Sequence, residues 1–270
     1  MSLLLHLSDT HFGTEQPPVL EALELLIAQR PPQLVVFSGD ITQRARRAQF
    51  DAAGRFCERL RGLPVLALPG NHDIPLFNLA ARLFWPYRGY LRIFGPALEP
   101  VLDLPDMLVI GVNTTRPARH KNGQVSPAQV QSVARRLAAA RPGQLRIVVT
   151  HQPAAVLRPE DTHDRLIGAR HALPAWSLAG ADLVLGGHIH LPYVLDLVDG
   201  PEPMPRPMWC VQAGTAVSHR VRHGTSNSVN RMEWQPPAPG QPRRCRVERC
   251  DYDSATGRFV TAFEHRLQLA

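Results

Sequence analysis

Leu34-Val35-Val36-Phe37-Ser38-Gly39-Asp40 is the stretch that decides the fold. A run of four apolar residues reads as a short strand buried on both faces, and the Gly-Asp behind it places a carboxylate at the strand's carboxyl end. The same pattern recurs on either side. Residues 3–8 form an apolar strand closed by Asp9-Thr10-His11, and residues 64–68 form one closed by Gly70-Asn71-His72-Asp73. Residues 145–150 are followed by His151, and residues 182–185 by Gly187-His188-Ile189-His190.

Helical patterns separate these strands. Pro17-Pro18 opens one that carries Leu20, Leu23 and Ile27 at helical spacing, and residues 48–60 set Phe50, Ala53, Cys57 and Leu60 on one face. Ser126-Pro127-Ala128-Gln129 is a capping-box start for a third helix, and a fourth is expected near residues 171–178. Residues 107–112 add a strand, whereas 84–100 read as irregular. The last third changes character: strand-like runs at 192–198, 208–212, 228–234, 244–251 and 259–267 are separated by Pro/Gly turns at 200–207, 235–242 and 254–257. The expectation is a single α/β domain over 1–270, with a motif-bearing part at 1–190. Residues 191–270 are expected to be mostly antiparallel strands that complete a second sheet.

Composition agrees with a folded domain. Of 270 residues 44% are hydrophobic and 20% charged, which excludes disordered, collagen-like and coiled-coil chains. The longest apolar runs fall far short of the roughly 20 residues of a membrane span. The N-terminus has no basic segment, and His6 and Asp9 interrupt its apolar stretch, so it is not expected to be a signal peptide. Cys57, Cys210, Cys245 and Cys250 form no CxxC, which fits buried thiols in a reducing cytoplasm. The net charge of +7 is almost all arginine, Lys121 being the only lysine. It favours anionic partners such as nucleotides or nucleic acid, although the arginines are spread along the chain.

In an open α/β sheet ligands bind outside the carboxyl ends of the strands, so the five polar clusters can converge on one crevice. Aspartate, asparagine oxygen and imidazole are ligands for Mn, Fe or Zn, and no thiolate is present to select a structural zinc. About seven ligands exceed what one ion needs. Two ions sharing a carboxylate accommodate them.

D-x-H, G-D, G-N-H-D, a lone His after a strand and G-H-x-H, in that order, resemble the signature of the calcineurin-like metallophosphoesterases. That resemblance implies a four-layer α/β/β/α sandwich of two mixed sheets flanked by helices. It also implies Asp9, His11, Asp40 and His190 as ligands of one metal and Asp40, Asn71, His151 and His188 as ligands of the other. Asp40 is then the bridge, and a metal-bridging hydroxide the nucleophile. His72 is implied as the catalytic histidine that protonates the leaving oxygen or holds a phosphate oxygen together with Asn71, and Asp73 as the residue that orients its ring.

Within the superfamily the motifs Ser8–Gly13, Ser38–Gln43, Pro69–Asp73 and Gly186–Pro192 are most similar to bacterial cyclic-nucleotide phosphodiesterases. The expected partner is a small phosphodiester. DNA nucleases and nucleotide-sugar or lipid pyrophosphatases of the superfamily are the alternatives, ahead of a catalytically silent scaffold. Arg44, Arg116 and Arg165 sit on loops near the motifs and are candidates to grip a second charged group of the substrate, as is His163 in the loop after His151. Each is as compatible with a solvated or satisfied surface role. Trp85, Tyr87 and Tyr90 are expected to pack, with base stacking the alternative. The sequence leaves a homodimer open.

Overall fold

The computed structural model describes residues 2–60, 62–198, 204–238 and 240–270. Its strands are β1 (Ser2–Leu7), β2 (Leu34–Phe37), β3 (Val65–Ala67), β4 (Val101–Asp103), β5 (Met107–Gly111), β6 (Leu145–Val149), β7 (Leu183–Gly186), β8 (Tyr193–Asp196), β9 (Trp209–Gln212), β10 (Ser228–Trp234), β11 (Arg244–Asp253) and β12 (Arg258–Gln268). The α-helices are α1 (Pro17–Gln29), α2 (Arg47–Arg59), α3 (Leu79–Phe84), α4 (Arg88–Phe94), α5 (Pro127–Ala138) and α6 (Ala169–Leu178).

The strands form two six-stranded mixed sheets, ordered β12-β11-β10-β1-β2-β3 and β4-β5-β6-β7-β9-β8. Because side chains alternate along a strand, each sheet buries two faces. Leu4, Leu34, Val36 and Leu66 of the first sheet meet Val109, Ile147, Val149 and Leu185 of the second in the central layer. The opposite face of the first sheet, with Leu5, Leu7, Val35 and Phe37, packs on Leu23 of α1, Phe50 and Phe56 of α2 and Tyr90 of α4. Leu108, Ile110, Val148 and Val184 of the second sheet pack on Val133 and Leu137 of α5 and Leu173 and Trp176 of α6. These strands are therefore continuously apolar, since neither face meets water.

Two expectations are corrected. Residues 84–100 are not irregular: they hold α4 and the end of α3, which is capped by the Asn78 side chain accepting from Ala81 N at 2.9 Å. Both helices are two turns or shorter, too brief for a periodicity signal. Residues 191–270 do not complete the second sheet. Only β8 and β9 join it, with β9 parallel to β7, whereas β10, β11 and β12 extend the first sheet from the free edge of β1. β9 runs parallel to β7 and so delivers the chain to the carboxyl ends. Its outer edge is already taken by β8, and β10 pairs antiparallel with the edge of β1 that β2 leaves open. The expected turn at 200–207 falls partly on residues 200–203, which lie outside the described residues.

Tyr90 is buried and donates to Ala67 O at 2.6 Å, and Tyr87 Oη lies 2.9 Å from Thr115 Oγ1, so both serve packing. Trp85 is exposed beside Phe84.

Candidate metal centre

The carboxyl ends of the two sheets meet at a seam. His151 Nδ1 lies 2.8 Å from Ser38 O, which ties β6 to β2 across it, and Gly187 N donates to His151 O at 2.9 Å. Asp9 N donates to Gly39 O at 3.1 Å and His11 N to Asp40 O at 3.0 Å, fixing the first two motifs against each other.

The candidate ligand residues turn inward by unusual backbone geometry. Asp9, His11, Asp40, His188 and His190 have φ of 50°, 43°, 48°, 74° and 57°, and Ala45 is the one other non-glycine residue with positive φ among the described residues. Left-handed backbone costs a non-glycine residue about 1–3 kcal/mol and persists where the surroundings over-determine it, as at active sites. Close approach also requires glycine. A Cβ on Gly70 would collide with Asp40 N and Oδ1, and one on Gly187 with Ser8 Oγ. We expect Gly70→Ala to push Asp40 out of place and weaken metal binding about 10- to 100-fold, the range for a disturbed ligand support. Elemental analysis checks this; two metals per chain and an unchanged melting temperature would contradict the contact.

Two groups of side chains could each hold an ion: Asp9, His11 and His190, and Asp40, His151 and His188, the ligand atoms of each lying within 4.8 Å of one another. In the first, His190 Nε2 is 3.3 Å from both Asp9 Oδ1 and His11 Nε2. Asp40 lies between the groups. Its Oδ2 is 3.9 Å from His11 Nε2, and its Oδ1 is 3.3 Å from His151 Nε2. Asn71 Oδ1 joins the second group at 3.2 Å from His151 Nε2.

A cation fits these residues. Asp9 Oδ1, His11 Nδ1 and both nitrogens of His188 are buried without a hydrogen-bond partner, a costly arrangement for polar atoms that have nothing to bind. Burial pushes the Asp9 and Asp40 carboxyls up, but His190 beside Asp9 and His151 beside Asp40 hold both below the usual carboxylate range. Burial alone would push the His151 ring down, yet Asp40 carries it up to about 9. Burial takes His11 to about 3 and also lowers His188. The site is thus a buried pair of anions ringed by imidazoles, the oxygen and nitrogen donor set of Mn, Fe or Zn.

His72 and Asp73 lie on a 3-10 turn, Asn71–Asp73, directly after β3. The backbone N–H of His72 donates to Asp40 Oδ1 at 2.8 Å, and its ring Nδ1 lies 2.8 Å from Gln43 O, leaving Nε2 toward the cavity. The ring is oriented by that carbonyl and not by Asp73. The Asp73 carboxylate instead accepts from Ile41 N, Thr42 N, Thr42 Oγ1 and Gly70 N at 2.7–3.0 Å, stapling the second motif to the third. Burial and the neighbouring Asp40 raise it to about 6.

A cavity of about 470 Å³ opens over the groups, lined by Asp40, Asn71, His72, His188 and His190 and also by residues that no motif marked, Lys121, Asp161, Asp164, Arg220 and Arg222 among them. Arg44 lines a cleft beside His72 and stacks over Phe77 at 5.6 Å. The other gripping candidates lie elsewhere. Arg116 is spent on Asn113 O, Thr115 O and Gln129 Oε1. Arg165 Nε donates to Ala154 O. His163 is exposed, its Nδ1 on Glu160 O and its Nε2 3.1 Å from Asp164 Oδ2, because the 3-10 turn Pro159–Asp164 directs Asp164, not His163, into the cavity.

The fold is shared with solved structures at low identity. A purple acid phosphatase from yellow lupin (Lupinus luteus) seeds superposes with a TM-score of 0.70 at 11% identity, covering 99% of this chain and 53% of that one, so this chain spans about half of the lupin protein's length. A dimetal phosphatase from Danio rerio gives 0.66 at 11% identity, covering 100% and 99%. No curated protein matches the sequence. The sequence itself matches the family described as calcineurin-like phosphoesterase over residues 3–192, a span that contains both ligand groups. The chain therefore belongs to the calcineurin-like phosphoesterase family, and its two groups of side chains could each hold a metal ion.

Proposed function

We propose that the protein is a cytoplasmic phosphodiesterase acting on cyclic nucleotides or similar small phosphodiesters. The observation that carries a diesterase reading is His72: a ring pinned at Nδ1 by Gln43 O, with Nε2 open to the cavity beside the shared carboxylate. A diester's leaving alkoxide needs a proton, and a positioned imidazole supplies it.

Asp9, His11, Asp40 and His190 would hold one ion, and Asp40, Asn71, His151 and His188 the other. When bound, two divalent cations supply Lewis-acid charge and lower the pKa of water. The remaining work belongs to the chain. Asn71 turns its Oδ1 to the ligand group, leaving its amide nitrogen to donate to a phosphoryl oxygen, and His72 passes a proton from Nε2 to the leaving oxygen. The cavity of about 470 Å³ is within the usual range for small-ligand sites and suits a mononucleotide. Cyclic nucleotides are favoured over other small diesters by the motif likeness. The four cysteines are all unpaired, which suits a reducing compartment, and no helix among the described residues is long and apolar enough to cross a membrane.

A nuclease reading has one observation in its favour. A groove lined by Arg44, Arg46, Arg47 and Arg88 with Phe77 and Trp85 adjoins the His72 cleft through Arg44. Basic side chains interleaved with aromatic ones are how single strands are bound.

The test is initial rates with added manganese on cyclic AMP, a phosphomonoester, a single-stranded DNA oligonucleotide and a sugar-nucleotide diphosphate. The cyclic nucleotide is expected to give the highest kcat/KM. Preference for DNA moves the substrate to the arginine groove, preference for the diphosphate selects a pyrophosphatase, and turnover of the monoester alone overturns the diesterase reading.

A further inference from the structure

Three cations other than histidine line the cavity, and two of them are neutralised in place. Arg222 Nη1 lies 2.9 and 3.1 Å from the two oxygens of Asp161, and Lys121 Nζ lies 2.6 Å from Asp164 Oδ1. Arg220 differs. Its Nη1 donates to the neutral Gln43 Oε1 at 2.9 Å and lies 3.3 Å from His72 Nε2, and no carboxylate pairs with it among the described residues. Since His72 Nδ1 faces a carbonyl, Nε2 is the acceptor there, so Arg220 points an N–H at the atom that must meet the substrate. Among the described residues the rest of the guanidinium fork makes no hydrogen bond.

The backbone under this side chain is held firmly. Residues 213–227 cross from β9 to β10, and within them Arg220 N donates to Ser218 Oγ at 3.0 Å while Thr215 Oγ1 donates to Arg220 O at 2.8 Å. That carbonyl also accepts from His190 Nδ1, and Asn227 Nδ2 ties the crossing with bonds to Ser218 O and Thr215 O. The main chain of Arg220 thus orients a ligand imidazole, and its side chain reaches over the cavity to His72.

We propose that Arg220 grips the phosphoryl group of the substrate beside His72, its guanidinium being the one arginine or lysine of the cavity, among the described residues, that no carboxylate neutralises. A guanidinium matches phosphate oxygens with paired N–H donors, and the neutral partners it holds in the free site are weaker acceptors than a phosphate. Substrate entry therefore exchanges the His72 contact for a phosphate contact and frees Nε2 to take up a proton from water, which it then passes to the leaving oxygen. This assignment rests on the phosphoesterase reading of the site.

The test is calorimetric titration of the manganese-loaded protein with inorganic phosphate, with metal content measured alongside. Arg220→Gln is expected to weaken phosphate binding about 10- to 100-fold, the usual loss for a hydrogen bond to a charged group, while keeping two metals per chain. Arg220→Lys, which keeps the charge but not the fork, is expected to fall between Gln and the wild type. In turnover of a diester the Gln variant should raise KM as well as lower kcat. Unchanged phosphate affinity in Arg220→Gln overturns the assignment. Loss of metal from that variant also overturns it, because the side chain would then act through the loop and His190. A wild-type protein that is manganese-loaded but binds no phosphate overturns the phosphoesterase reading beneath it.

Discussion

Asp40→Ala should abolish turnover and release metal. Its two oxygens face different ligand groups, Oδ1 toward His151 and Oδ2 toward His11, so one truncation removes a donor from both and takes away the negative charge they share. A lost carboxylate ligand at a two-metal phosphoryl site costs several kcal/mol of transition-state stabilisation, or about 10³-fold or more in rate. His72 N also loses the acceptor that holds its turn at 2.8 Å. Asp40→Asn separates charge from shape: it keeps the volume and an oxygen toward one group, and should retain at most one tightly bound ion. Elemental analysis together with kcat at saturating manganese decides the matter. If Asp40→Ala kept two ions per chain and lost less than about ten-fold in rate, Asp40 would not be the shared ligand.

His72→Ala should cut the rate about 10²- to 10⁴-fold on a diester with a poor leaving group, the usual contribution of a positioned general acid. Metal content should not change. The contact between this residue and the ligand groups that matters for structure is the backbone N–H to Asp40, and alanine keeps it. The loss should also shrink as the leaving group becomes more acidic, since a phenolate departs without a proton. Rates of wild type and variant across a series of diesters graded by leaving-group pKa give the ratio. A constant ratio across the series would leave His72 as a phosphate-binding group and remove its proton-transfer role.

How much of this was legible varies by element and for physical reasons. β2 and the strands like it could be read because burial on both faces makes them continuously apolar, and the Asp, Asn and His residues behind them stand out against that background. α3 and α4 could not, because one or two turns carry no periodicity and the packing of α4 against α2 is a tertiary matter. β10, β11 and β12 were readable as strands, but which sheet they would join was not. Alternation reports which faces of a strand are covered and says nothing about which edge it finds.

That last ambiguity also hid Arg220. Read as part of an antiparallel hairpin, the segment at 208–212 has no carboxyl end that faces the crevice. Paired parallel to β7, β9 has one, and the chain leaving it must cross the site. In the same way Asp164 enters the cavity and its neighbour His163 does not, since the pitch of a 3-10 turn decides between them.

By itself the sequence determined the residue types, their order and their place at strand ends, and thereby the candidate ligands and the family, because burial pattern and donor type are local properties of a chain. The tertiary structure alone decided which strands meet at the seam, which carbonyl holds His72, that Asp73 staples the motifs and does not steer the ring, and which cation is left unpaired. Those depend on edges, crossings and distances between residues far apart in the chain, and no local pattern encodes them.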